Sequence, residues 1–424
     1  MTVFRLFRLS LVFSLLTLPG LAQAQNTPQI LTVETPRELA RALRNAPQGA
    51  EIVLAPGDYG RLEIDGDTEA GVIRSADPEN PARFTSALVL DVRDIRIEGL
   101  HFDYVFAPED EIYYRVFVFR DLTNFVLRDN IFEGDPAQGI SALDDGHGWG
   151  IGVTVWHGEN VLIEGNEFFG FFRGLHMRNH NNLTVRGNEV HTIRMDGMNF
   201  VQVSDVLVEG NHIHNFDRVL DSTDHSDMIQ FWTRRTDWSS HNIVIRGNLL
   251  NAGSGWFTQS IFMRNERSDM QGSIDPEIFY RNILIEENVI INAHTHGITV
   301  GDAFEVTIRN NTVVQVASAA PRTPDAGRYT PAIRVAEHNG DVVVMNNITS
   351  RVVGYDGQSD WNVSDNFLVQ GNSRLEPGHY SLIFQGGPLQ DPASFRYLAD
   401  GPAATPGLGA GMLRSSHSPV DLLP

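Results

Sequence analysis

The chain has 424 residues with no Cys, 53 acidic side chains and 32 basic ones, all of them Arg, for a formal net charge of −21. No Cys excludes a disulfide framework and thiol catalysis. The acidic balance excludes a general binder of nucleic acid or of anionic membranes, so an anionic substrate needs a local Arg cluster or a bound cation.

Residues 1–24 read as a secretory signal. Arg5 and Arg8 form the basic start, Leu9 to Leu18 the apolar run, and Ala22-Gln23-Ala24 the small-residue cleavage site. The apolar run is too short to span a bilayer. The expected location is the periplasm or the outside of the cell, with no membrane contact after processing.

Thr35 to Asn45 is predicted as one short helix, capped by Thr35 with Pro36 at its first position. EIVLAPGDY then reads as a strand ending at a Pro-Gly turn. Strands follow at DIRIEGLHF (94–102) and NFVLRDNIF (124–132), interrupted by loops at Tyr104–Arg115 and Gly134–Trp149.

From Asn160 to Gln315 one phrase recurs six times: NVLIEGNEFFG, NLTVRGNEVHT, DVLVEGNHIHN, NIVIRGNLLNA, NILIEENVIIN and EVTIRNNTVVQ. Branched apolar residues stand at every second position, the mark of a half-buried strand. Asn166, Asn188, Asn211, Asn248, Asn288, Asn311 and Asn347 recur at spacings of 22 or 23 residues, or of 36 to 40. The short spacing fits one turn of a solenoid and the long one the same turn with an inserted loop. The unit has no amphipathic helix of useful length, so it predicts a parallel β-helix of roughly ten turns. The Asn series is expected at turns, bonding backbone groups and tolerating a left-handed conformation. Loops of notable length follow Phe216, Asn251, Asn265 and Ser318. The domain is expected over 25–411, with 412–424 as a frayed tail.

These repeats resemble the right-handed parallel β-helix proteins of the pectin-lyase-like fold, over nearly the whole mature chain. The region 30–60 is similar to the N-terminal cap of the polysaccharide lyases among them, and FRYLADGPAATPGLGAG (395–411) to their last coil. The resemblance implies an all-β chain, a single-stranded right-handed parallel β-helix solenoid with an N-terminal helical cap. That fold hosts lyases, epimerases, hydrolases and non-catalytic binders, so the reaction must be argued from residues.

A second strand follows each Asn. Its inward residues are expected to be Leu175 and Met177, Met198 and Phe200, Ile229 and Phe231, Ile261 and Met263, Ile298 and Val300. The residues between them stack outward as His176, Asn199, Gln230, Phe262, Thr299 and Arg334, with Arg178, Trp232 and Arg264 as a second row. Such a surface reads as a groove for an extended polysaccharide. Trp232 is suited to stacking on a sugar ring, Arg178 and Arg264 to holding carboxylates, and His176, Asn199, Gln230 and His296 to polar contacts. The alternative is an outer face with scattered polar residues.

The densest polar run, NFDRVLDSTDHSDMIQFWTRR (215–235), carries Asp217, Asp221, Asp224, His225 and Asp227, and Asp196 opens the equivalent strand one turn earlier. Asp196 and Asp224 are candidate Ca²⁺ ligands, since a hard cation takes oxygen donors; the alternative is turn and capping roles. His294 and His296 read either as a metal pair or as a stacked or solvated pair.

On a uronic-acid polymer, β-elimination or C5-epimerisation needs the C6 carboxylate neutralised, a base for the C5 proton, and an acid. His225 is the candidate base, with Asp227 orienting it and Arg264 and Arg178 on carboxylates. Some lyases resembling this chain use a Lys base, a variant that a chain without Lys excludes. The run TDHSD loosely echoes the Asp-Pro-His motif of some epimerases. Asp144-Asp145-Gly146-His147-Gly148 superficially resembles elements of polygalacturonases, which leaves inverting hydrolysis as a second class. A non-catalytic glycan-binding surface protein is the third. A monomer is expected.

Overall fold

The computed structural model describes residues 28–423 apart from 67, 220, 254–257, 272–274, 316–328 and 389, with the side chains of 269–271 also left aside. The signal segment 1–24 lies outside the described residues, as do the loop after Ser318 and part of the loop after Asn251. Among the described residues, no helix is long and apolar enough to cross a membrane.

The chain coils as a right-handed parallel β-helix. Among the described residues its strands form one continuous 30-stranded sheet, and every pairing between strands is parallel, each joining equivalent residues one turn apart. Each regular turn has three faces. On one turn, Ile151–Glu164 supplies two of them, bent at His157 and Asn160, which are both left-handed (φ 55° and 57°). The short strand Glu167–Phe169 supplies the third. A continuous β pattern thus turns two corners per coil without leaving the ladder.

Identical positions stack inside. Ile163, Val185, Val208, Ile245, Ile285 and Ile308 are in register and fully buried. Phe132 lies 4.9 Å from Phe168, and Phe200 4.7 Å from Phe231, each pair face to face. All ten inward positions expected on the second strands are buried in this core.

The expected Asn series is a buried ladder. Asn188 donates from Nδ2 to the Ile163 carbonyl and to Asn211 Oδ1, both at 3.0 Å, and its backbone N–H donates to the same Oδ1. The left-handed residue is not the Asn but the one before it: Gly165, Gly187, Gly210, Gly247, Glu287 and Asn310. That explains why the repeat reads Gly-Asn so often. Asn130 and Asn366 extend the ladder beyond the repeats.

Both ends are covered. The helix Pro36–Asn45 is capped by Thr35 Oγ1, which accepts from the Glu38 N–H, and buries Leu39 and Leu43 over the first turn. At the other end, the segment expected to fray is packed. Leu413 is fully buried in a second core with Ile383, Phe395 and Tyr397, and the Tyr397 N–H donates to the Leu413 carbonyl. The apolar residues of 412–423 are scattered among Ser and Pro, so no periodicity announces this packing.

Candidate functional site: the outward face of the second strands

The face is made by Arg173–Arg186, Met198–Glu209, Asp227–Trp232, Gln259–Met263, His296–Val300 and Ala332–Val335. Their register runs His176, Asn199, Gln230, Phe262, Thr299, Arg334, the row that alternation predicts. Arg178 and Trp232 share the second row through Val201, and Arg264 follows directly on Met263, the partner of Phe231.

The row is not an open groove along its length. His176 is 6% exposed, Asn199 0% and Gln230 3%, whereas Phe262, Thr299 and Arg334 are half-buried. Period-two reasoning places side chains outward but says nothing of neighbours that cover them. His176 sits edge-on to Trp156 (5.6 Å) and Trp232 (6.1 Å). Burial, with the Arg173, Arg115 and Arg178 charges, drives its pKa down to about 3 and keeps the ring neutral. His176 is therefore part of the floor of this face and not an exposed side chain. Arg178 is likewise occupied, donating to Gln202 Oε1 (3.2 Å) and to the Arg235 carbonyl (2.8 Å).

A further row crosses the entrance to these strands; the sequence related the strands of Asp196 and Asp227 but missed Arg173. The Gly174 N–H donates to the Asp196 carbonyl and the Gly197 N–H to the Asp227 carbonyl, so Arg173, Asp196 and Asp227 occupy equivalent places on consecutive turns. A Cβ on Gly174 would meet the Gly197 carbonyl oxygen at 2.6 Å, and one on Gly197 the Met228 oxygen at 2.8 Å. The glycines let the turns close at this point. The signal was available, because a charged residue precedes the first inward position each time.

Arg173 Nε lies 3.2 Å from Asp196 Oδ2. Asn199 Nδ2 donates to Asp196 Oδ2 (3.2 Å) and to Gln230 Oε1 (2.7 Å); Gln230 Nε2 donates to Asp227 Oδ2 (2.7 Å) and lies 3.2 Å from His225 Nε2. His225 Nε2 is 3.5 Å from Asp227 Oδ2, with its side chain 52% exposed at the rim. His225 and Asp227 thus meet as expected. Burial, then the Asp196 charge, push the Asp227 pKa well above the carboxylate range.

The expected Ca²⁺ pair is not brought together. Asp224 binds Arg194, which lies 3.0 Å from its Oδ2 and 2.8 Å from Asp144 Oδ1. The oxygen set that exists is Asp196 with Asp227, whose carboxylates and the His225 imidazole lie within 4.8 Å of one another. Among the described residues, Asp196 Oδ1, Asp227 Oδ1 and Asn199 Oδ1 are buried and meet no hydrogen-bond partner. Two orphaned carboxylate oxygens and one orphaned amide oxygen are hard donors that fit a divalent cation.

Arg264 joins the next part of the face. With Phe262, His296, Thr299, Arg334, Glu337 and His338 it lines a depression of about 440 Å³. His296 Nδ1 lies 2.7 Å from Thr299 Oγ1, and its ring stacks on His294 at 5.1 Å, the stacked-pair reading. Burial and the Arg334 charge lower the His296 pKa to about 4, leaving a neutral imidazole beside a cation. Arg334 itself is lowered, by burial and by Arg351.

The polygalacturonase-like loop is engaged elsewhere. Asp145 Oδ1 accepts from the Ile140 and Ser141 N–H groups, Asp144 binds Arg194, and His147 pairs with Asp217 at 2.9 Å. These bonds dock the loop of residues 134–149 onto the loop carrying Asp217 and Asp224.

A family model described as "Right handed beta helix region" matches residues 115–274. No curated protein matches at the sequence level. Among solved structures the chain is similar to the Dettilon tailspike protein (13% identity, TM-score 0.51), covering 80% of this chain and 62% of that one. It is also similar to the PL6 family alginate lyase AlyGC (14%, TM-score 0.41, 81% and 52%). A third is PfbA, a surface adhesin of Streptococcus pneumoniae (12%, TM-score 0.46, 79% and 88%). The chain thus spans less than two thirds of the tailspike and of the lyase, and at these identities the shared feature is the β-helix fold.

Proposed function

We propose that this protein is an exported enzyme that binds an extended uronic-acid polysaccharide along the outward face and takes the proton from C5 of a bound uronate. The observation that carries this reading is the depression, which Arg264, Arg334 and the neutral imidazole of His296 line together on a chain that is otherwise strongly acidic.

A guanidinium on the C6 carboxylate spreads the charge that develops when C5 loses its proton. With Nδ1–H donated to Thr299 Oγ1, His296 Nε2 carries the lone pair that accepts that proton. The C5–H electron pair moves into the carboxylate. It then returns either to expel the C4 oxygen, which takes its proton from the imidazolium of His296 or from water, and form a C4–C5 double bond, or to take a proton from water on the opposite face. These are β-elimination and epimerisation. Burial, then the Arg334 charge, depresses His296, and a bound carboxylate would offset the second of these. The role first expected of His225 passes to His296 because His225 Nε2 faces Gln230 and Asp227 and not an arginine. A Ca²⁺ ion on Asp196, Asp227 and Asn199 would supply positive charge to a neighbouring carboxylate.

The test is ultraviolet absorbance during incubation with a panel of uronic-acid polymers, with and without Ca²⁺, alongside deuterium incorporation at C5. Rising absorbance reports β-elimination and deuterium without it reports epimerisation. Either activity is expected to fall about 100-fold or more in His296→Gln. Neither signal, with no new reducing ends, leaves only glycan binding and overturns the enzymatic reading.

A further inference from the structure

The third face of the coil carries its own array of imidazoles and carboxylates, away from the polymer face. Its short strands are Ile131–Glu133, Glu167–Phe169, Glu189–His191 and His212–His214. Their register aligns Glu167, Glu189 and His212 in one outward row and Phe169, His191 and His214 in the other. His191 Nε2 bonds Glu167 Oε1 at 3.0 Å, and one turn on His214 Nε2 bonds Glu189 Oε1 at 2.9 Å. These are ordinary His–Glu rungs. The second rung differs because the next strand brings two histidines, at alternate positions, to one carboxylate.

We propose that Glu189, His212 and His214 form a binding site for a late first-row divalent cation, with Zn²⁺ as the reference ion. The three donor atoms lie within 4.8 Å of one another. His212 Nδ1 is 3.9 Å and His214 Nε2 2.9 Å from Glu189 Oε1. Zinc bonds of about 2.0–2.1 Å in tetrahedral geometry set donors roughly 3.3 Å apart, between these two separations. Two imidazoles and a carboxylate select zinc-like ions over Ca²⁺, which prefers oxygen alone.

The rings stack on one another before any ion arrives, so binding requires them to tilt until both in-plane lone pairs meet the ion. His214 stacks on His212 (4.0 Å) and on His191 (5.1 Å), and His191 on Phe169 (5.0 Å). Glu167 anchors His191 from behind. Glu189 is half exposed at its side chain (49%), which leaves room for a fourth, exchangeable ligand. The ion would clasp two consecutive turns from outside, where the inward side chains already stack.

The test is calorimetric titration of the full chain with Zn²⁺ after chelator treatment and dialysis. Because Asp196, Asp227 and His225 form another candidate cation site, the titration is repeated in Asp227→Asn. One equivalent bound in that variant, weakened at least about tenfold by adding His212→Gln or His214→Gln, is the expected result. Replacing Co²⁺ for Zn²⁺ should give visible absorption bands that the same substitutions remove. Zn²⁺ affinity that is unchanged by both His substitutions, or no binding in Asp227→Asn, would overturn the proposal and leave a ladder of His–Glu hydrogen bonds.

Discussion

His176 shows how the same residue reads differently from a period and from its surroundings. Alternation sends it outward among candidate substrate contacts, yet two indoles and three arginines enclose it. Its folded pKa of about 3 lies below the usual value near 6.5, so the native state resists a proton that the unfolded chain accepts. No stability is lost above about pH 6.5; the loss grows as pH falls from there toward 3. At pH 5 the term amounts to about 2 kcal/mol, and buried His180 adds to the slope in the same direction. Denaturant unfolding at pH 7 and pH 5 should show His176→Gln losing about 2 kcal/mol less than the wild type between the two. An unchanged pH slope in the variant would contradict the buried neutral ring.

At the scale of the element, the Asn rung joins turns through bonds that no apolar stack supplies. Asn248 Oδ1 accepts from both the N–H and the Nδ2 of Asn211, while its own Nδ2 donates to the Val208 carbonyl and to Asn288. Asn248→Ala strands several buried groups at once, each costing about 1–3 kcal/mol. Unfolding free energies should therefore fall by about 3 kcal/mol or more. Asn366→Ala, at the partly exposed end of the ladder, should cost about 1 kcal/mol. Equal losses at the two positions would mean that the ladder does not act through burial.

These rungs and the paired rows were legible because each coil repeats the same physical problem, and Val, Ile and Asn solve it identically. The row at the strand entrance was harder to read, since Arg173 shares a place with Asp196 and Asp227 but not their chemistry. What sits over the face was not legible at all. Arg194 bridging Asp144 and Asp224, and His147 on Asp217, join loops that occur once each, and no period relates them. The expected Asp196–Asp224 cation pair failed for that reason: adjacency in sequence to Asp227 does not say which carboxylate turns toward the loop arginine.

At the scale of the whole molecule, a capped coil presents three faces with different chemistry. One bears Arg, His and Trp above the buried Asp196–Asp227 pair, the next the Glu164–Arg186 and Glu286–Arg309 type of surface pairing, and the third the His–Glu rungs. On the proposed function, the first face is where an anionic polymer binds. Its most direct test is calorimetric titration of a uronic-acid oligomer into the wild type, Arg334→Ala and Arg246→Ala, the last lying on the adjacent face beside Glu209. A hydrogen bond between charged partners contributes about 1.5–3 kcal/mol, so Arg334→Ala should weaken binding roughly 10- to 100-fold while Arg246→Ala leaves it unchanged. Equal affinity in all three proteins, or a loss confined to Arg246→Ala, would contradict the assignment of the polymer to this face.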